Sequence, residues 1–304
     1  MQAAKRVAGL LLKVSFFVAT FAVHAEGPVQ SAPDYARERA VRAQGLTQPY
    51  GWFSLVALEW LKPGVTTVGS AKDNSVVLMG APAHLMVLEQ KDGKVVLLAS
   101  DPSLTLGGRP LHAGNAHVVV SDREDDASAM TSGTLRLWAI DRGGKRYLRV
   151  KDSNAAARKH FHGLHWYAPD RQYRVEARWI PYSSPHTMHV MNKLGQITPV
   201  PVPGYVEFEL DGKKQTLTPM EAGKDGLWFV FRDATALHTT DGGGRFLTTD
   251  APSNGLDRPG TVTLDFNQAV NPPCAYSPYA TCPLAAPENR MLVPAPAGEK
   301  RYDD

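Results

Sequence analysis

Alternation of apolar and polar residues dominates the chain after residue 75. Val, Ile, Leu and aromatic side chains alternate with polar ones over short runs, and Gly, Asp, Asn and Pro separate the runs, which is typical of β-strands joined by turns. The predicted strands of a first series span residues 76–78, 85–89, 94–98, 116–120, 134–140 and 147–151, and those of a second series span residues 173–180, 189–192, 205–210, 213–220, 227–231 and 262–266. Asp92-Gly93 and Asp211-Gly212 are dipeptides that favour two-residue hairpin turns.

A single helix is predicted, close to the N-terminus. Residues 31–34 provide capping residues, residues 35–44 suit a helix, and Gly45 is expected to end it. Helical patterns are otherwise sparse, so the sequence predicts a mainly β fold. A chain of 304 residues is long enough for two lobes. We expect the helix and a first β lobe at residues 26–151 and a second β lobe at residues 152–304.

The first 25 residues indicate an export signal rather than a part of the fold. Lys5 and Arg6 precede an apolar run that ends at Val23 and is interrupted by Lys13, and Ala25 completes a small-x-small cleavage site. The run is too short and too interrupted for a transmembrane helix. We therefore expect cleavage after Ala25, a periplasmic or secreted mature protein, and no membrane span in it.

The charge of the mature chain excludes some partners. The formal net charge of +3 arises from 33 Lys and Arg residues against 30 Asp and Glu residues. The three basic residues of the predicted signal account for the whole excess, so the mature chain is electrically balanced. Such a chain gives no reason to expect nucleic acid or an anionic membrane as a partner.

Both cysteines of the chain, Cys274 and Cys282, lie in a loop rich in proline and aromatic residues. Two cysteines in an exported protein favour a disulfide. Closing a loop of this length would stabilise the fold by about 2.6 kcal/mol through chain entropy. The alternative is a free reactive thiol or a metal ligand, although the spacing is not that of a metal knuckle.

The stretch around the cysteines carries a family resemblance. The signature of DUF1684, a domain of unknown function, resembles the strings Asp-Phe-Asn at 265–267, Asn-Pro-Pro-Cys at 271–274, Pro-Tyr-Ala-Thr-Cys-Pro-Leu at 278–284 and Pro-Glu-Asn-Arg at 287–290. The resemblance extends back through residues 244–250 and 158–182. It implies no settled activity.

A second resemblance concerns the first lobe. The skeleton of a forkhead-associated (FHA) β-sandwich is similar to residues 61–70, 74–78, 84 and 107–111. Members of that family read phosphothreonine with a Gly-Arg pair, a Ser and an Asn. Here Gly69 is followed by Ser70, and Arg is the residue that makes a bidentate phosphate contact. The resemblance therefore implies an FHA-like β-sandwich without phosphopeptide binding, followed by a second small β-barrel or sandwich.

Arg290 is the strongest single candidate for a binding residue, because its guanidinium offers five fixed donors to a carboxylate or phosphate. The alternative is a buried Arg290 that pairs with Asp265 or Glu288. Arg245 follows the glycines at 242–244, and two arginines in one cleft would form an anion pocket. The histidines at 160 and 162 share one face of an extended chain, but a metal site would need a third ligand fixed from elsewhere. These histidines do not belong to the DUF1684 pattern, so we expect neither a metal site nor a cofactor.

We therefore expect a ligand-binding cleft in the second lobe. Its polar members are Arg245, Asp265, Asn267, Asn289 and Arg290, and its walls are Trp166, Tyr182 and Tyr276. The chain lacks serine-nucleophile and zinc-protease motifs, so the leading hypothesis is non-catalytic binding of a small anionic or polar ligand. Two alternatives stay open: a hydrolase that uses Asp265 with Arg290 as anion stabiliser, and a protein–protein interaction module of the cell envelope.

Overall fold

The computed structural model describes residues 33–111, 116–118 and 129–302, with the backbone alone for 116–118. Its helix α1 spans Tyr35–Leu46, which confirms the predicted helix, although the helix continues through Gly45 instead of ending there. A second helix of one turn, α2, spans Ala156–Lys159. The predicted signal peptide lies outside the described residues. No helix in the described part is both long and apolar enough to cross a membrane.

Two sheets occupy the first half of the chain. Their strands are β1 (Leu55–Trp60), β2 (Gly64–Gly69), β3 (Val76–Val77), β4 (Met86–Lys91), β5 (Lys94–Ser100), β6 (Thr105–Leu106), β7 (Arg109–Pro110), β8 (Ala116–Val118), β9 (Met130–Ser132), β10 (Leu135–Arg142) and β11 (Lys145–Asp152). One sheet has six strands in the order β1-β11-β10-β9-β6-β7, and the other has five in the order β3-β2-β4-β5-β8. Neighbouring strands are antiparallel except for the parallel pair β2–β3.

Both sheets bury side chains in one shared core. Leu137 of β10 and Val150 of β11 come from the six-stranded sheet, and Leu88 of β4 and Leu97 of β5 come from the five-stranded sheet. Every second side chain of these strands points into the shared core, and side chains of the opposite face, such as Trp138, are buried as well. Two sheets around one core make a β-sandwich.

The second half of the chain forms two further antiparallel sheets. Its strands are β12 (Arg174–Met191), β13 (Ile197–Leu210), β14 (Lys213–Leu217), β15 (Glu221–Gly223), β16 (Gly226–Phe231), β17 (Arg245–Thr249) and β18 (Gly260–Asp265). The orders are β14-β13-β12-β18 and β15-β16-β17. Trp179, Phe229 and Leu264 belong to a second core between these strands. The predicted mainly β fold with a short N-terminal helix is confirmed.

The two predicted hairpin turns are also confirmed. Asp92-Gly93 joins β4 to β5, and Asp211-Gly212 joins β13 to β14. All four residues have positive φ, between 52° and 74°. Such angles at both central positions give a turn whose twist matches that of the flanking strands, and Asp and Gly tolerate them.

The C-terminal segment, residues 266–302, leaves the sheets and follows an irregular path across the second core. Its three 3₁₀ turns are Phe266–Gln268, Pro273–Ala275 and Pro287–Asn289. Apolar side chains anchor its last part, since Met291, Val293, Ala295 and Ala297 lie in the second core. The polar residues of this segment are thus held against the folded sheets.

The expected disulfide is not present in this structure. Cys274 and Cys282 are both free thiols, and their sulfurs lie 3.7 Å apart, whereas a disulfide requires about 2.05 Å. The backbone N–H of Cys274 donates to Sγ of Cys282 at 3.2 Å. This hydrogen bond holds the buried sulfur of Cys282 beside the turn at 273–275, next to Cys274 but not bonded to it. The spacing correctly indicated proximity but not the covalent bond.

Candidate ligand-binding cleft

Helix α1 turns a polar stripe toward the rest of the fold. Tyr35, Arg39 and Arg42 are spaced so that they share one helical face, and each is half-buried. Leu46 is the only fully buried residue of the helix. Helix α1 is therefore attached mainly through polar side chains, which is unusual because packed helices generally bury an apolar stripe.

A small cleft of about 100 Å³ lies beneath this stripe. We call it the helix cleft; its lining residues are Tyr35, Glu38, Arg39 and Arg42 from α1 and Trp166, Asn267, Gln268 and Val270 from the opposite wall. A water molecule occupies about 30 Å³ in the liquid. The helix cleft therefore has room for a small polar molecule of a few heavy atoms but not for a drug-sized ligand.

Arg39 is the central side chain of the helix cleft. Its guanidinium carbon lies 4.7 Å from the centre of the Trp166 ring, and its Nη2 donates to the carbonyl oxygen of Tyr167 at 3.0 Å. Its Nε is buried and has no hydrogen-bond partner among the described residues. Burial lowers the pKa of Arg39, an effect that nearby Tyr35 and Glu38 oppose.

The wall that carries Trp166 is fastened to the end of the C-terminal segment. Trp166 forms a backbone bridge with Glu299, and the N–H of Tyr167 donates to the carbonyl of Gly298 at 3.0 Å. Gly298 has a φ of 77°, and a Cβ there would lie 2.5 Å from the carbonyl oxygen of Ala269. Only glycine fits such a position without strain.

Asp265 and Asn267 form the polar floor beside Tyr35. The Tyr35 hydroxyl donates to Oδ2 of Asp265 at 2.8 Å, and the Asn267 amide donates to Oδ1 at 2.9 Å. Asn267 also exchanges hydrogen bonds with the backbone of Asp170 at 3.0 and 2.9 Å. Burial and the hydrogen bond to Asp265 raise the pKa of Tyr35 to about 12. Asp265 is thus a fully engaged structural acceptor.

A buried polar network lies next to the helix cleft, around Glu299. Arg42 donates to Oε2 of Glu299 at 2.6 Å and to the carbonyl of Asn271 at 2.7 Å. The Tyr276 hydroxyl accepts from Arg42 at 3.0 Å and donates to Oε1 of Glu299. Burial and the charge of Glu299 raise the pKa of Tyr276. Burial lowers the pKa of Arg42, but Glu299 and Tyr276 together outweigh this effect and the net shift is upward.

Arg245 lies outside the helix cleft, in the second core. Its guanidinium is 1% exposed and forms an ion pair with Asp233 at 2.6 Å. It also donates to the carbonyl oxygens of Ala295, at 2.9 Å, and of Ala297. Arg245 therefore fastens the C-terminal segment to β17.

Asn289 and Arg290 are adjacent in sequence but have different environments. Asn289 is buried, and its amide exchanges hydrogen bonds with the backbone N–H and carbonyl of Thr218 at 2.8 Å. Arg290 is exposed, and its Nε donates to the carbonyl of Ala285 at 3.2 Å. It makes no ion pair with Asp265 or Glu288 among the described contacts. The structure therefore does not bring Arg245 and Arg290 together.

Tyr182 belongs to a separate aromatic group on the long β12–β13 hairpin. Its ring stacks on His186 at 4.4 Å and lies 5.3 Å from Tyr205.

Of the eight residues proposed from sequence, the helix cleft contains Trp166 and Asn267, with Asp265 and Tyr276 in the hydrogen-bonded layer beside it. The described residues hold no group of three or more metal-ligating side chains.

Sequence reasoning missed Arg39, Arg42 and Gln268. The four-residue spacing of Tyr35 and Arg39, continued by Arg42, was the available signal, since it places three long polar side chains on one face. Arg37 on the same helix is exposed, and the sequence alone does not distinguish it from the other two arginines.

Comparisons with known proteins agree with the signature in the C-terminal segment. A family described as a protein of unknown function (DUF1684) matches residues 159–300. A solution NMR structure of an uncharacterized protein from Haloarcula marismortui shares 30% identity over 47% of this chain and 78% of its own, with a TM-score of 0.40. No curated protein matches the chain. The chain thus carries a DUF1684 domain at residues 159–300.

Proposed function

We propose that the protein binds a small carboxylate-bearing ligand in the helix cleft. The observation that carries this proposal is the buried Nε of Arg39, which has no hydrogen-bond partner among the described residues. A buried donor without an acceptor costs about 1–3 kcal/mol. A ligand oxygen beside Nε would remove this cost, and a carboxylate suits the planar guanidinium because both can align in one plane.

The charges around the helix cleft support an anion at Arg39 rather than at Arg42. Glu299 already pairs with Arg42 at 2.6 Å. Both carboxylate oxygens of Glu38 accept from the side-chain amide of Gln268 at 3.1 Å. The described hydrogen bond of Arg39 is to a neutral carbonyl. Arg39 is thus the cation at which a ligand carboxylate would gain most.

The size and walls of the helix cleft narrow the ligand class. About 100 Å³ accommodates a carboxylate with a short carbon stem. The Trp166 ring, which lies against the Arg39 guanidinium, adds an apolar surface to the wall for that stem. We therefore expect short-chain monocarboxylates to bind better than citrate or sugars.

A calorimetric titration tests the proposal with acetate, propionate, phosphate, citrate and glucose as probes. We expect binding of acetate or propionate, and at least about tenfold weaker binding to Arg39→Gln, because charge-assisted hydrogen bonds contribute about 1.5–3 kcal/mol. Arg37→Gln is the matched control on the exposed face of the same helix. Equal affinity of the two variants, or no binding of any carboxylate, would refute the proposal.

The two alternative functions gain less support. For a hydrolase, Asp265 and Arg290 would have to act on one substrate, yet the described hydrogen bonds and ion pairs of Asp265 involve Tyr35, Asn267 and Arg174, while that of Arg290 involves Ala285. For an interaction module, exposed apolar side chains such as Leu292 and Met79 come from different parts of the chain. Neither observation favours these functions over ligand binding.

We also infer that the first lobe is an FHA-type sandwich that has lost phosphothreonine recognition, and that the protein is exported. Two sheets around a shared core support the first inference, as does Ser70 in place of the expected Arg. The basic, apolar and small-residue pattern of residues 1–25 supports the second. Mass spectrometry of the secreted chain, which should begin at Glu26, tests export.

A further inference from the structure

We infer that Cys274 and Cys282 form a redox-active dithiol that exchanges with disulfides, with Cys274 as the attacking thiol and Cys282 as the resolving thiol. This inference is independent of ligand binding in the helix cleft. It rests first on distance: the sulfurs lie 3.7 Å apart without a bond between them. They must approach by only about 1.7 Å to reach disulfide length.

The two thiols differ in accessibility. Cys274 is half-buried at the 3₁₀ turn Pro273–Ala275, whereas Cys282 is 7% exposed and packs against Leu55 and Ala280. An external disulfide therefore reaches Cys274 first. Cys282 is sheltered from solvent but within reach of the Cys274 sulfur, which is the arrangement that a resolving thiol requires.

The electrostatic surroundings favour the same order. The hydrogen bond with Cys282, together with the nearby charge of Lys193, lowers the pKa of Cys274 against the opposing effect of burial. The same hydrogen bond and burial raise the pKa of Cys282. Asp241, on the other side, opposes the effect of Lys193. Thiolates, not thiols, attack disulfides.

The proposed reaction has two balanced steps. The Cys274 thiolate attacks one sulfur of a low-molecular-weight disulfide, which forms a mixed disulfide and releases one thiolate. Cys282, losing its proton, then attacks Sγ of Cys274, forms the Cys274–Cys282 disulfide and releases the second thiolate. The protein loses two electrons and two protons, and the external disulfide gains them as two thiols.

The two thiols lie in a loop outside the sheets, and we expect their exchange with an external disulfide to be reversible. The loop between them contains Pro278 and the exposed Tyr279, and the loop backbone is irregular rather than part of a sheet.

The full chain is equilibrated in anaerobic glutathione buffers of varied reduced-to-oxidised ratio. Its free thiols are then labelled with N-ethylmaleimide, and the mass of the labelled protein is measured by mass spectrometry. Since the chain has only two cysteines, each species is unambiguous. We expect two labels in reducing buffer, none in oxidising buffer, and full recovery of two labels on return to excess reduced glutathione. A disulfide that never forms, or that excess glutathione does not reduce, would overturn the inference.

Single variants test the order of attack. The Cys282→Ser variant should stop at a mixed disulfide with one glutathione on Cys274. In the Cys274→Ser variant, Cys282 should react with oxidised glutathione at least tenfold more slowly than Cys274 does in the Cys282→Ser variant. Limiting alkylation of the reduced parent protein, followed by peptide mapping, provides the same information without substitutions. Equal labelling of both cysteines, or faster labelling of Cys282, would contradict the assigned roles.

Discussion

Single polar side chains of the C-terminal segment bond to backbone groups of other parts of the second lobe. Asn289 bonds to the backbone of Thr218 and to the carbonyl of Val230, and Asn267 bonds to the backbone of Asp170. Buried backbone groups need such partners, since each unpaired group is costly. The amides in the family signature therefore act chiefly as structural connectors.

The difference between Arg245 and Arg290 gives a prediction at this scale. Arg245→Met should lower the free energy of unfolding by about 3–5 kcal/mol, because it leaves Asp233 buried without its cation. Arg290→Met removes one exposed hydrogen bond and should cost about 1 kcal/mol at most. Urea denaturation of both variants measures the difference. Similar losses of stability in the two variants would mean that Arg245 does not hold the C-terminal segment against β17.

The sequence allows only part of the helix cleft to be predicted at this scale. Trp166 and Asn267 could be proposed because a large aromatic ring and an amide lie near family motifs. Arg39 could not, since its importance depends on which face of α1 meets the C-terminal segment. That orientation results from contacts such as the one between Tyr35 and Asp265, which are 230 positions apart.

At the scale of elements, prolines explain why the strand predictions fell short in the β12–β13 hairpin. The pattern predicted a strand only from residue 205, whereas β13 begins at Ile197 and includes Pro199, Pro201 and Pro203. β14 pairs only with residues 206–210, so the earlier part of β13 has β12 as its only neighbour. Proline is accepted on such a free edge because no ladder hydrogen bond is lost there.

The docking of α1 gives the second prediction. Arg42→Met should destabilise the fold by about 3–5 kcal/mol, because Glu299 would remain as a buried charge without its partner. Arg37→Met, on the exposed face, should cost about 1 kcal/mol or less, the scale of an exposed ion pair. Thermal and urea denaturation measure both.

A double variant separates charge from packing at the same element. Arg42→Met combined with Glu299→Gln removes both charges and should recover part of the stability lost in Arg42→Met alone. A double variant less stable than the single one would show that Glu299 is not left unpaired when Arg42 is replaced.

At the scale of the whole molecule, two apolar cores lie in one compact unit, Tyr35–Asp304. Contacts that cross between the halves involve the loop that bears the cysteines. Arg142 donates to Oγ1 of Thr281 at 2.7 Å, and Ser277 donates to the carbonyl of Leu55 at 3.2 Å. The Phe53 ring also lies 5.0 Å from the Tyr276 ring. The division into lobes at residues 151 and 152 stays a prediction.

These crossing contacts predict cooperative unfolding. Leu137→Ala in the first core should cost about 2–5 kcal/mol and Phe229→Ala in the second about 3–5 kcal/mol. Each variant should shift a single calorimetric transition as a whole. Two separate transitions, each sensitive to only one substitution, would instead show that the lobes unfold independently.

The polar attachment of α1 has a thermodynamic consequence. Leu46 is its only fully buried residue, so releasing the helix exposes little apolar surface. The heat-capacity change on unfolding arises mainly from apolar exposure. Local detachment of α1 should therefore have a nearly constant enthalpy over temperature, while the stability of the two cores follows a curved temperature profile. Cooling would then weaken the hydrophobic contribution to the stability of the cores and leave the free energy of α1 attachment almost unchanged.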